Sequence, residues 1–156
     1  MTKLSNSRGF SLIELMISVA IIAVMSAIAF PTMQSLRARA KESEMRMHMA
    51  AIRTCEETYK SENDAYYACP AHPAIIPIGG NRVPWDNPPP PVEWDVIGFS
   101  VDSPVIYQYA IINVVAGKAY TATAEGDVDC DGQTAIWRIT PQSNYRPVWD
   151  PATDNH

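Results

Sequence analysis

The sequence predicts an α+β protein: a long N-terminal helix, apolar in its first half, whose second half packs on a small antiparallel sheet. Three observations carry this. Residues 10 to 61 read as one helix, with Pro31 the sole interruption. Later come three runs rich in β-branched and aromatic residues, set apart by short turns. Between them, Met45, Met49, Ile52 and Tyr59 recur at helical spacing, the stripe of an amphipathic helix with one face on a core.

Phe10 to Met33 is a run of 24 residues whose one charge is Glu14. Its length meets the roughly 20 apolar residues that cross a bilayer, so a membrane span is the expected reading. A central carboxylate in such a span costs about 2.5 to 3.5 kcal/mol on insertion scales, so it needs a use or a partner. The short polar segment Met1 to Gly9 carries Lys3 and Arg8, and the bias of basic residues keeps this end in the cytoplasm. A secretory signal peptide fits badly, because the small residue suited to cleavage, Gly9, precedes the apolar run. Cleavage there would leave the apolar helix on the mature chain.

Gly9-Phe10-Ser11-Leu12-Ile13-Glu14-Leu15 after a short basic leader resembles the class III signal of type IV prepilins and the related pseudopilins. The resemblance covers about the first 50 residues. It implies that a membrane prepilin peptidase cuts between Gly9 and Phe10 and methylates the new amine of Phe10. It also implies that Glu14 pairs with a Phe10 amine during filament assembly, and that Pro31 sits where many such pilins kink. Electrostatics supports this independently: a terminal ammonium and a carboxylate four residues apart can meet across copies stacked with an axial offset, relieving both buried charges. Methylation keeps the amine positive. A headgroup-snorkelling Glu14 would leave the Gly-Phe at this spacing unexplained.

From Leu36 to Ser61 there is no Gly or Pro, so the apolar run becomes half of one helix on the order of 78 Å long, at about 1.5 Å per residue, with Pro31 a bend. The stripe methionines read as core rather than as a soft metal site. Residues 70 to 91 are rich in proline, including Pro88 to Pro91, and are expected to form an extended strap without a regular ladder, pinned by Trp85 and Trp94. A ligand for a proline-binding module is the less favoured alternative. Strands are expected over 105–112, 119–124 and 135–140, with a shorter one near Asp95 to Ser100 and turns at 113–117 and 126–132. The remaining aromatic residues, Tyr59, Tyr66 and Tyr67 among them, are explained by packing.

The expected organisation is a leader at 1–9, an apolar assembly segment at 10–36 and one head at 37–156, large enough for a single small domain. Residues 37–60 hold six Lys/Arg against four Asp/Glu, whereas 61–156 hold four against twelve. An acidic head argues against general nucleic-acid binding, which needs a basic patch.

Asp127, Asp129 and Asp131, on alternate residues before Gly132, resemble the start of a calcium loop. The twelfth place falls on Arg138 instead of Glu, and a solvated turn is the competing reading; the pilin-pseudopilin resemblance raises the calcium option without transferring ligands residue by residue. Cys55, Cys69 and Cys130 lie beyond the membrane, where disulfides persist, so one pair and one leftover is expected. Cys55 with Cys69 is slightly favoured, and Cys69 with Cys130 stays open. A zinc site from these with His48, His72 and His156 lacks ligand spacing. No nucleophile elbow, phosphate-cradling loop or His-Glu-x-x-His pattern occurs, and Glu56 and Glu57 suit a solvated face, so an enzyme is not expected.

The resemblance implies a subunit of a type IV pilus, held in the inner membrane with its head in the periplasm and then polymerised through its apolar helix into an extracellular filament for motility, adhesion or DNA uptake. Its partners are then copies of itself, the peptidase and the inner-membrane assembly machinery, with no cofactor beyond an optional structural calcium ion. The alternatives are a major pseudopilin of a type II secretion system and, from another class, a monomeric membrane-anchored binding protein.

Overall fold

The computed structural model describes residues 10–115, 117–127, 132, 134–143 and 148–149. Two compact units divide the chain, Met1–Arg37 and Ala38–His156, and helix α1, Leu12–Asn63, runs through the boundary.

In the first unit, Ser11 supplies the first carbonyl of α1, accepting from Glu14 N at 3.1 Å and Leu15 N at 3.2 Å, so the helix begins two residues later than Phe10. Its apolar side chains are exposed throughout, Leu12 at 78% and Phe30 at 69%. An 18-residue window of mean hydropathy 2.5 makes the helix long and apolar enough to cross a membrane. Three hydroxyls on this half of the helix are satisfied by the helix itself: Ser18 donates to Glu14 O at 2.8 Å, Thr32 to Ala29 O at 2.8 Å and Ser35 to Thr32 O at 2.9 Å. Back-bonding of this kind removes the cost of carrying a hydroxyl into an apolar medium. The helix continues through Pro31.

In the second unit the expected stripe is the buried one. Met45, Met49 and Ile52 are buried and Tyr59 packs against the same cluster. They cover a five-stranded sheet: β1 Cys69–His72, β2 Gln108–Val115, β3 Ala119–Gly126, β4 Ala135–Ile139 and β5 Val148–Trp149, in sequential order. Every neighbouring pair is antiparallel, as short connections favour. The register explains how large rings fit one face. Tyr109 and Trp137 flank Ala124 in one cross-strand row, and Ile111 and Ile139 flank Ala122 in the next. All six are buried. Alternating large and small residues across a sheet face lets the rows interdigitate without voids.

Two expectations are corrected around the proline-rich segment. Its start is ordered as β1, whose Pro70 is tolerated because β1 is an edge strand pairing with β2 alone. The strand expected near Asp95 to Ser100 is instead a one-turn helix, α2, Val92–Val96. Helical spacing buries Trp94 and Ile97 on one side, and Gly98 at φ +72 then turns the chain so that Phe99 N bonds back to Trp94 O at 3.0 Å. The tryptophans pin the strap as expected: Trp85 and Trp94 meet edge to face at 5.4 Å, both against Phe99.

Arg82 on the strap grips α1 through Glu44, with bonds of 3.2 and 2.8 Å, and donates to Pro104 O at 2.7 Å. Both side chains touch solvent, so the pair is worth about 1 kcal/mol or less. Replacing Arg82 with alanine is expected to lower the urea unfolding free energy of the full chain in detergent micelles by about 1 kcal/mol, with a smaller loss at high salt.

Candidate functional site

The chemistry-bearing residues of the first unit crowd the start of α1. Phe10 is 74% exposed and Glu14 sits in the first turn, where the positive end of the helix dipole suits a carboxylate. Among the described residues Glu14 has no ion-pair partner. Gly9 lies outside the described residues. An exposed apolar helix whose one carboxylate has no ion-pair partner among the described residues is a surface suited to lipid and to copies of the same helix.

In the second unit the buried face of α1 holds two polar residues, Glu56 and His48, whose burial the sequence reading does not expect. Glu56, expected on a solvated face, is fully buried. It follows Ile52 by four residues, so the stripe that predicted Met45, Met49 and Ile52 also pointed to it. Its Oε2 accepts the Tyr67 backbone N–H at 3.1 Å, while Oε1 is buried with no hydrogen-bond partner among the described residues. Burial pushes its pKa up to about 7, against the Tyr67 N–H and with help from Glu57. His48, also on this face, meets the Tyr109 hydroxyl at 2.9 Å through Nδ1.

The favoured disulfide is not present: Cys55 and Cys69 are free thiols. Each is directed to a different carbonyl at the two ends of α2, Cys55 to Gly98 O at 3.8 Å and Cys69 to Glu93 O at 3.4 Å. Burial raises both pKa values, that of Cys69 to about 12, so neither is a ready thiolate. Cys130 lies outside the described residues, as do Asp129 and Asp131.

Of the three carboxylates only Asp127 is described. It is buried, and its Oδ2 accepts backbone N–H groups from Gly79 at 2.8 Å and Gly132 at 3.2 Å. Two N–H donors on one oxygen stabilise the anion. Among the described residues no group of three or more His, Cys, Asp or Glu could hold a metal. Through these bonds Asp127 staples the strap to the turn that follows β3.

Residues 4–30 match the family model described as the prokaryotic N-terminal methylation motif. The chain is similar to the type IV major pilin protein PilA of Myxococcus xanthus, 42% identical over 76 residues, which are 49% of this chain and 34% of that protein. It is also similar to the type IV wide pilus major component PilA4 of Thermus thermophilus, 33% identical over 79 residues, 51% of this chain and 59% of the relative. The type IV major fimbrial protein FimA of Dichelobacter nodosus is 46% identical over 54 residues, 35% of each chain. The matched segments thus span between about a third and three fifths of these relatives. No solved structure matches the chain. The type IV pilin resemblance carried by Gly9 to Leu15 is borne out by both the motif and the relatives.

Proposed function

We propose that this type IV pilin-like chain is a structural subunit of a type IV pilus that polymerises through the apolar half of α1. The observation that carries the reading is an α1 whose first half is apolar and exposed, with one carboxylate, unpaired among the described residues, five residues after Gly9 inside a methylation motif. A membrane peptidase cuts after Gly9 and methylates the Phe10 amine, leaving a positive charge at the start of the helix. Before assembly the helix spans the inner membrane with Lys3 and Arg8 on the cytoplasmic side and the head in the periplasm. During assembly it exchanges lipid for packing against other copies, and Glu14 of one copy meets the Phe10 ammonium of a neighbour. That pair fixes the axial stagger, because breaking a buried pair costs about 3 to 5 kcal/mol while lipid-like packing alone tolerates sliding. Motility, adhesion or DNA uptake are then properties of the filament and of the machinery that extends and retracts it. The subunit does structural work and no chemistry.

Deleting the chain separates this from the pseudopilin reading. The expected result is loss of sheared surface filaments with protein export intact; export lost from cells that never bore filaments would establish a secretion pseudopilus instead.

The head folds without a metal on this reading, since Asp127 is used as a staple. Adding calcium, or a chelator, is expected to leave the melting temperature of the full chain in micelles unchanged. A rise with calcium would put a cation among the carboxylates after β3.

A further inference from the structure

Tyr109 lies at the centre of the head's aromatic core. It is fully buried, with the Trp85 ring 6.3 Å away and the Tyr107 ring 6.4 Å away between centroids. Trp85 continues to Trp94 at 5.4 Å, and Tyr107 continues to Trp137 at 5.4 Å. Oxidisable rings at these separations exchange electrons readily, so a hole created on one is shared until some site traps it. What traps it is loss of a proton, because an oxidised phenol is a strong acid and an oxidised indole a weaker one, and either radical becomes stable once deprotonated.

Among Trp85, Trp94, Tyr107 and Tyr109 the proton partners single out one ring. Trp85 Nε1 and the Tyr107 hydroxyl are buried without a hydrogen-bond partner among the described residues, so neither can shed a proton where it stands. Trp94 Nε1 donates to the Pro70 carbonyl at 3.0 Å, which is not a base. Tyr109 is different: its hydroxyl is 2.9 Å from Nδ1 of His48, whose ring stands edge-on to it at 5.5 Å. Outside this cluster, Tyr66 donates to Glu57 at 3.1 Å, but its ring contact is Tyr120, whose hydroxyl is itself without a partner among the described residues.

We propose that Tyr109 is a redox-active tyrosine that captures one-electron oxidation of the surrounding core, giving its electron to an oxidised tryptophan and its phenolic proton to His48. The step balances: an external one-electron oxidant of the oxygen-radical class takes an electron from a tryptophan. The Tyr109 hydroxyl then returns that electron and transfers its proton to Nδ1. The products are a restored tryptophan, a neutral tyrosyl radical and a His48 imidazolium. Burial lowers the His48 pKa, opposed by Glu44 on α1 and assisted by Arg82 on the strap, so the imidazole is neutral and able to accept. Tyr109 faces Glu44 and Tyr107 and is itself held protonated by burial. His48 also lines a cavity of about 510 Å3 with Cys55, Phe99 and Asp102, which gives the accepted proton a route to water.

The test is laser photoionisation of the tryptophans in the full chain in detergent micelles, following conversion of tryptophan radical to tyrosyl radical optically and by electron paramagnetic resonance. The expected result is a long-lived tyrosyl signal that Tyr109→Phe removes and that forms at least about tenfold more slowly in His48→Gln, which keeps an acceptor but not a base. Two measurements on the unmodified chain stand whatever the variants do to folding. Its conversion rate slows in heavy water, and it falls with acidity at a pH below the ordinary imidazole value of 6.5 as His48 protonates. A tyrosyl signal unchanged by Tyr109→Phe overturns the proposal, and so does a rate in the unmodified chain that ignores both isotope and pH.

Discussion

Replacing Glu14 with alanine should abolish sheared filaments while the chain accumulates in the membrane fraction. The head is untouched by this change, because Glu14 belongs to the first unit and the core residues all lie in the second. The span becomes more apolar by about 2.5 to 3.5 kcal/mol, so insertion improves and cannot explain the loss. What disappears is the acceptor for a neighbour's Phe10 ammonium, which is left buried and unpaired at a cost of about 3 to 5 kcal/mol per contact. At roughly 1.4 kcal/mol per tenfold, that is a loss of at least a hundredfold in subunit addition. Glutamine at this position should fail similarly, since it keeps the shape and removes the charge. Immunoblots of sheared and membrane fractions measure both outcomes; filaments at the usual level from either variant would remove the charge pair from the mechanism.

The second large effect is in the head. Glu56 has a folded pKa of about 7 against an ordinary 4.5. Its folded value is the raised one, so its contribution to stability is whole below about pH 4.5 and is lost as pH rises through about 7. The shift corresponds to about 3 kcal/mol at most. The neighbours do not blur this window: burial raises the pKa values of Cys55, Cys69 and Tyr120, which stay neutral across it. His48, whose burial lowers its pKa, gains stability as pH rises through the same window, so the Glu56 contribution is read as the difference between the full chain and Glu56→Gln in micelles. The variant should gain on the unmodified chain from pH 5 to pH 8 and be the more stable of the two near pH 8 by about 1 to 3 kcal/mol. An unchanged slope in the variant would assign the pH dependence to another group.

Much of this was legible in the chain, for identifiable reasons. The apolar run and the lone Glu14 are linear signals, and the stripe Met45, Met49, Ile52, Tyr59 announces which face is buried. Strands β2, β3 and β4 were found because β-branched and aromatic runs alternate with turn residues. Strand β1 was missed because Pro70 argues against a ladder, and what permits it there is an edge position that only the assembled sheet reveals. Helix α2 does not show itself in the sequence because five residues are too few to show a period; its identity depends on Trp94 finding a core. Glu56 reads as solvated because polar residues usually are, and His48 enters the sequence reading only as a zinc ligand without the right spacing, although both fall on the stripe. Free Cys55 and Cys69 reflect direction rather than distance along the chain, which spacing does not encode.

The most direct test of the central claim is the intact mass of the protein in filaments sheared from cells. The account predicts a chain that begins at Phe10, with a methyl group on its amine, as a component of the polymer. Sheared filaments that lack this chain, or that contain it with Met1 to Gly9 still attached, would contradict it.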